Sequence, residues 1–142
     1  MRRSARSRPI AAEVDVRILL DTHSVLWFLA GDRALSRRAR RVIEKAGNEK
    51  YVSVASVWEM AIKVSLGKLR LGQTILATVE ALRSSGIEVL SVEADHAGGV
   101  AELPWHHDDP FDRLLASQAR IEGLTIVSRD DAFDGYGVRR IW

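Results

Sequence analysis

A chain of 142 residues with 46% hydrophobic and 28% charged residues has the size of one ordinary domain and the balance of a globular one. It has no cysteine, which excludes disulfides, thiolate zinc centres and a cysteine nucleophile, and no apolar run reaches the roughly 18 residues that a membrane-spanning helix takes. The formal net charge of +2 is unevenly spread: residues 1–17 hold five arginines against Glu13 and Asp15, and the rest of the chain comes to −1.

In chain order, residues 1–16 lack clean periodicity and read as a flexible basic arm. No apolar stretch of a secretory signal follows their arginines, so a cytoplasmic location is expected. Residues 17–20 form a short apolar run, suited to a buried strand and ended by Asp21. A helix is expected over 24–30, closed by Gly31, and a second from the N-cap Ser36 to about residue 46. Arg33, Arg37, Arg38, Arg40 and Arg41 gather on the latter, either as a solvated face or as a contact for an RNA backbone.

The second strand is expected over 51–54. The spacing predicts a helix over 56–66, with Val57, Met60, Ala61, Val64 and Leu69 inward and Gly67 closing it. Another helix covers 74–84, burying Ile75, Leu76, Val79 and Leu82. A third strand spans 87–90, followed by a helix over about 94–103 that Gly98 and Gly99 weaken. Residues 104–109 are polar and irregular. His106 and His107 are adjacent there, so they cannot share a metal from one helix face, and they read as a polar loop pair. Pro110 suits the first position of a helix capped by Asp109 and running over 111–122. The fourth strand covers 124–127, Asp130 and Asp131 suit the cap of a short helix reaching Phe133, and a last strand spans 138–142. Strands alternating with helices predict an α/β sandwich with a short, largely parallel sheet, one domain over 17–142.

In such sheets ligands bind beyond the carboxyl ends of the strands. Asp21 follows the first strand directly, and Asp130 stands three residues after the fourth. Each acidic residue has a structural alternative: Asp21 as a helix cap, Glu59 on a solvated helix face, Asp109 as a cap, Asp112 in a first helical turn, Asp130 as a cap. Together they suggest more. Clustered carboxylates repel one another, and a hard divalent cation resolves that repulsion; magnesium and manganese prefer carboxylate and water oxygens. A pair of such ions ~4 Å apart serves phosphodiester cleavage.

The order Asp21-Thr22-His23, then Val57-Trp58-Glu59-Met60, then Asp108-Asp109-Pro110-Phe111-Asp112-Arg113, then Val127-Ser128-Arg129-Asp130 resembles the PIN-domain family. It is especially similar to the VapC-type toxins of bacterial toxin–antitoxin systems, and the likeness runs from about Ile18 to Trp142. It implies a PIN-like α/β/α sandwich and a Mg2+- or Mn2+-dependent endoribonuclease acting on RNA. Carried over by position, Asp21, Glu59, Asp112 and Asp130 match the acidic metal-site residues, and Thr22 and Ser128 match hydroxyl positions beside them. Ser128 stands where many relatives have threonine. Asp109 matches a further acid read mainly as a helix cap. Arg113 and Arg129 are candidates to hold a phosphate, with surface ion pairing as the plainer role of each. The resemblance also implies an antitoxin partner and a homodimer, with Trp27, Phe28 or Trp58 as apolar anchors if they are not core aromatics. An N-terminal arm longer than such toxins usually carry is the departure from the pattern.

Other classes fit less well. A phosphatase with Asp21 as nucleophile wants a second aspartate two residues on, where this chain has His23. A dinucleotide enzyme wants a glycine-rich turn after the first strand, and none is there. A non-catalytic binding module on the same fold is the alternative reading.

Overall fold

In a computed structural model the described residues are 15–105 and 108–142, so the reading of His106 and His107 and that of residues 1–14 lie outside them. Five parallel strands form one sheet: β1 (Arg17–Leu20), β2 (Glu49–Ser53), β3 (Ile87–Leu90), β4 (Thr125–Val127) and β5 (Arg140–Ile141), in the order β3-β2-β1-β4-β5. The helices are α1 (Thr22–Ala30), α2 (Arg37–Glu44), α3 (Val54–Ser65), α4 (Ile75–Ser84), α5 (Ala94–Gly99) and α6 (Pro110–Glu122). A 3-10 turn continues α5 over Val100–Glu102, and a second spans Asp131–Tyr136.

Because side chains alternate along a strand, the apolar run of β1 serves two cores. Ile18 and Leu20 join one cluster with Val25, Ile43, Met60 and Leu82 from α1 to α4. Leu19 joins the other with Leu115, Ala116 and Ala119 of α6 and Phe133 of the second 3-10 turn. The sheet is therefore covered on both faces, as a parallel sheet requires. The order also contains a reversal: the chain runs outward from β1 to β2 and β3, then returns to β1's other side as β4. That is a topological switch point, where a crevice opens beyond the strand ends.

Several expectations move at the edges. α1 begins at Thr22 rather than Ser24, because Asp21 itself caps it, accepting from Ser24 N at 2.9 Å. β2 starts at Glu49 and ends at Ser53, whose hydroxyl caps α3 from Ala55 N at 3.0 Å, so Val54 is helical. Leu76 and Val64, expected inward, are exposed; the faces of α3 and α4 that meet the core centre on Met60 and Leu82. The helix expected to Leu103 leaves α geometry at the glycine pair and finishes as the 3-10 turn. Asp15 and Val16 are tied down: Val16 N donates to Asn48 Oδ1 at 3.1 Å, and Lys45 lies 3.9 Å from Asp15. Among the described residues no helix is long and apolar enough to cross a membrane.

Candidate active site

The carboxyl end of β1 abuts that of β4. Asp21 N donates to Val127 O at 3.2 Å, and Ser24 Oγ donates to the same carbonyl at 3.0 Å. The Asp21 side chain is buried, and each of its oxygens accepts a hydrogen bond. Its Oδ1 caps α1, and its Oδ2 accepts from Ser128 Oγ at 2.6 Å. Ser128 Oγ in turn accepts from Asp130 N at 2.9 Å, and Asp130 Oδ1 accepts from Ala132 N at 2.9 Å, capping the second 3-10 turn. One chain of hydrogen bonds thus joins Asp21, Ser128 and Asp130.

A second group is built on the next residue. Thr22 Oγ1 donates to Glu59 Oε1 at 2.6 Å and lies 2.9 Å from Ser56 Oγ. Glu59 is only 7% exposed, contrary to a solvated helix face, and Lys63 one turn on holds its Oε2 at 3.0 Å. A buried carboxylate needs such partners, because an unpaired charge in low dielectric is costly.

The third group is the start of α6. Asp109 caps it, accepting from Phe111 N at 2.8 Å and Asp112 N at 3.3 Å, with Pro110 at the first position where its missing N–H costs nothing. Asp112 is half-buried in the first turn, where the helix dipole favours an anion. α3 packs on α6, and Trp58 meets Phe111 edge to face at 5.5 Å, so the residues just before Glu59 and Asp112 touch.

An open cavity of about 430 Å³ lies against the first group, lined by Asp21, His23, Trp27, Arg129, Asp130 and Asp131. Of the four acids expected to act together, Asp21 and Asp130 line it; Glu59 and Asp112 stand outside its lining. Among the described residues no three His, Asp or Glu side chains gather as one ion-holding group. The donor set nevertheless suits a hard cation, since magnesium often takes one or two carboxylates and keeps several waters. Two carboxylates on one open cavity provide that much, without a ready-made cage.

Arg113 departs from its expected surface role. It is buried, and its guanidinium donates to the carbonyls of Pro104 at 2.9 Å, Val100 at 3.1 Å and Leu103 at 3.5 Å, with Trp105 stacked 4.0 Å away. Through these three hydrogen bonds it fastens the segment before α6. Arg129 is exposed on the cavity rim and forms no ion pair among the described residues. Trp27 and Phe28 are partly buried against the first core cluster, whereas Trp58 is 62% exposed. Behind the site, Arg140 donates to Ser128 O at 3.1 Å while Asp134 grips its guanidinium at 3.0 and 3.1 Å; that hydrogen bond holds the Asp134 carboxyl below its usual value.

His23 and Trp27 as cavity walls were missed from the sequence. Their signal was present, four residues apart on a helix beginning at Thr22, but it is hidden if the helix starts at Ser24.

The PIN domain family matches residues 18–138. Ribonuclease VapC22 of Mycobacterium tuberculosis is 28% identical over 114 residues, covering 80% of this chain and 86% of that protein. Among solved structures, VapBC2 of Rickettsia felis bound to a DNA fragment from its promoter superposes with a TM-score of 0.67 at 16% identity, covering 89% of this chain and 98% of that one. DNA-bound VapBC of Salmonella typhimurium gives 0.62 at 21% identity, covering 89% and 97%. At such identities the two structures speak to the fold.

Proposed function

The chain belongs to the PIN-domain family, and from that premise we propose that it is an endoribonuclease, the toxin of a toxin–antitoxin pair, cutting RNA at a site that takes Mg2+ or Mn2+. The observation that carries this reading is the linkage of Asp21 through Ser128 to Asp130, at the sheet's switch point and on one open cavity. The named ribonuclease relative supports the activity.

In this reading Asp21 and Asp130 hold the ion, with Glu59 and Asp112 completing its surroundings. A divalent cation bound there supplies positive charge against the charge developing on a phosphodiester under attack by water. The chain's own residues prepare the site. Ser128 orients Asp21 and fixes the backbone of Asp130. Thr22 orients Glu59, while Lys63 offsets its charge. Asp109 sets the start of α6 and hence Asp112. Arg129, at the rim, attracts the neighbouring phosphate.

An antitoxin protein is the proposed partner, since one of the similar structures is a toxin–antitoxin complex from Klebsiella pneumoniae. Trp58 with Phe111 offers it an exposed aromatic anchor. A second reading, a non-catalytic binding module, is favoured by one observation: no three acids gather as one ion-holding group among the described residues.

Cleavage of labelled total RNA by the purified, antitoxin-free chain separates the two. With manganese, discrete cuts are expected, and Asp21→Asn should lower their rate at least about 100-fold. The variant should stay folded, because Asn keeps an oxygen to cap α1. Cleavage by Asp21→Asn at the rate of the unmodified chain would sink the assignment. Absence of cuts from the folded unmodified chain would favour the binding module.

A further inference from the structure

At the other end of the sheet from Asp21 and Asp130, a cavity of about 660 Å³ lies beside the amino ends of β2 and β3, with Asn48, Lys50, Arg83, Gly86 and Glu88 in its lining. Lys50 is the unexpected member. In the parallel register it stands between Ile18 of β1 and Ile87 of β3, both fully enclosed. Its stem therefore fills a place in an apolar row, and the residue is only 8% exposed. Its ammonium ends beside Gly86, where a Cβ built on the glycine would stand 3.9 Å from Nζ. Lys50 forms no side-chain hydrogen bond or ion pair among the described residues.

We propose that this cavity binds a small phosphate-bearing anion, its phosphate held by the Lys50 ammonium and the Arg83 guanidinium. The site is separate from the carboxylate cavity and does not rest on the ribonuclease reading.

Comparison with other cations of the chain carries the inference. Lys63 and Lys45, each about a third exposed, face Glu59 at 3.0 Å and Asp15 at 3.9 Å. Arg113, buried as Lys50 is, is held by three carbonyls. A charge taken out of water needs such partners, and of these four cations Lys50 is the one without any among the described residues. A lysine that merely covers apolar surface keeps its head in water, whereas Lys50 leaves little surface to solvent. The acids nearby do not supply the missing partner. Alternation sends Glu49 and Glu88 to the other face of the sheet, and Glu49 is taken by Arg17 at 3.2 Å and the Tyr51 hydroxyl at 3.0 Å. Asn48 spends its amide on Val16 N and Val42 O. Arg83 is tied only to exposed Glu80, at 3.1 Å, and a surface pair of that kind is worth little against a bound anion. Two cations on one cavity raise its potential for an anion. Phosphate suits both, since lysine meets it as a point charge and arginine as a fork. The volume falls within the roughly 300–1,000 Å³ of small-molecule sites, which leaves room for more than the phosphate itself.

The test is titration of the isotope-labelled full chain, followed by amide NMR spectra in buffer without divalent ions. The additions are sodium phosphate, adenosine monophosphate, adenosine and, at matched ionic strength, sodium chloride. Phosphate should shift the Gly47 and Gly86 amide signals saturably, with a Kd in the millimolar range or tighter, and leave those of Asp21 and Asp130 in place. Chloride should shift none of them. Tighter binding of adenosine monophosphate than of phosphate would make the occupant a phosphate ester, and equal binding would make it free phosphate. Lys50→Met, which keeps the unbranched stem between Ile18 and Ile87 and removes the charge, should weaken phosphate binding at least ~10-fold. The proposal is overturned by the absence of a saturable shift at Gly47 and Gly86, by chloride acting as phosphate does, by adenosine binding as tightly as its monophosphate, or by Lys50→Met binding phosphate with undiminished affinity. The comparison of phosphate with chloride alters no protein residue, so it decides the matter even if Lys50→Met fails to fold.

Discussion

A single hydroxyl shows how tightly residues govern this site. Thr22 Oγ1 stands 2.6 Å from Glu59 Oε1, and both side chains are buried. Replacing Thr22 by Val keeps the volume and removes the donor. Glu59 then has Lys63, itself about a third exposed, as its main remaining counterpart. Leaving a buried carboxylate oxygen short of a hydrogen bond costs about 1–3 kcal/mol, so Thr22→Val should lower the urea-unfolding free energy by that amount. An unchanged unfolding midpoint would mean that water replaces the hydroxyl at no cost. At this scale the sequence was legible where a residue sits next to a strand or helix boundary. Asp21, Ser128 and Asp130 could be found because each follows a strand, and Asp109 because proline follows it. Arg113 could not. Its burial depends on three carbonyls of the segment before α6, and no spacing in the chain announces that an arginine will turn inward to meet them.

Among elements, the shortest strand is β5, two residues long and at one edge of the sheet. It is held to the preceding 3-10 turn by Arg140 and Asp134, and to the site by the bond from Arg140 to Ser128 O. Asp134 has its carboxyl lowered from 3.8 chiefly by the hydrogen bond from Arg140. A carboxyl lowered in the folded state stabilises the fold above its unfolded value, and that contribution disappears as pH falls through the folded value. The group is fully exposed, so the effect is small. Asp134→Asn should therefore lower the urea midpoint slightly at neutral pH, and the gap should close as the pH is taken below 3.8. A gap that stays constant into strong acid would assign the loss to something other than the ion pair. β5 also marks where reading elements from the sequence ran short. Of the segment 138–142, Arg140 and Ile141 pair in register with Ile126 and Val127, and beyond Ile141 the pairing stops because β4 ends at Val127. Glu49 and Lys50, too polar to suggest a strand, are in β2 because their backbones pair with β1 and β3.

For the whole molecule, the deciding feature is that one sheet separates two cores. Alternation along β1 sends Ile18 to the α1–α4 side and Leu19 to the α6 side, and Ile126 of β4 lies on Leu19's side. The parallel α/β arrangement was legible from short apolar runs spaced by helices, whereas the strand order was not. It depends on which side of β1 the returning chain takes, a matter of packing that periodicity does not encode. If the two layers are energetically separate, a defect in one should not be felt in the other. Ile18→Val and Ile126→Val each remove one buried methyl from fully enclosed side chains, on opposite faces and without a shared cluster. Each should cost about 0.5–1.5 kcal/mol; their backbones are neighbours on adjacent strands, so a double variant equal to their sum within about 0.5 kcal/mol, the margin for independent sites, would show that the opposite faces act separately. Urea unfolding of the four proteins with a common slope is the measurement. A larger coupling would mean that the sheet transmits strain between the layers. The carboxyl ends of β1 and β4, where Asp21 and Ser128 meet, would then respond to packing on either side, and variants in the distal cores should shift RNA cleavage as well as stability.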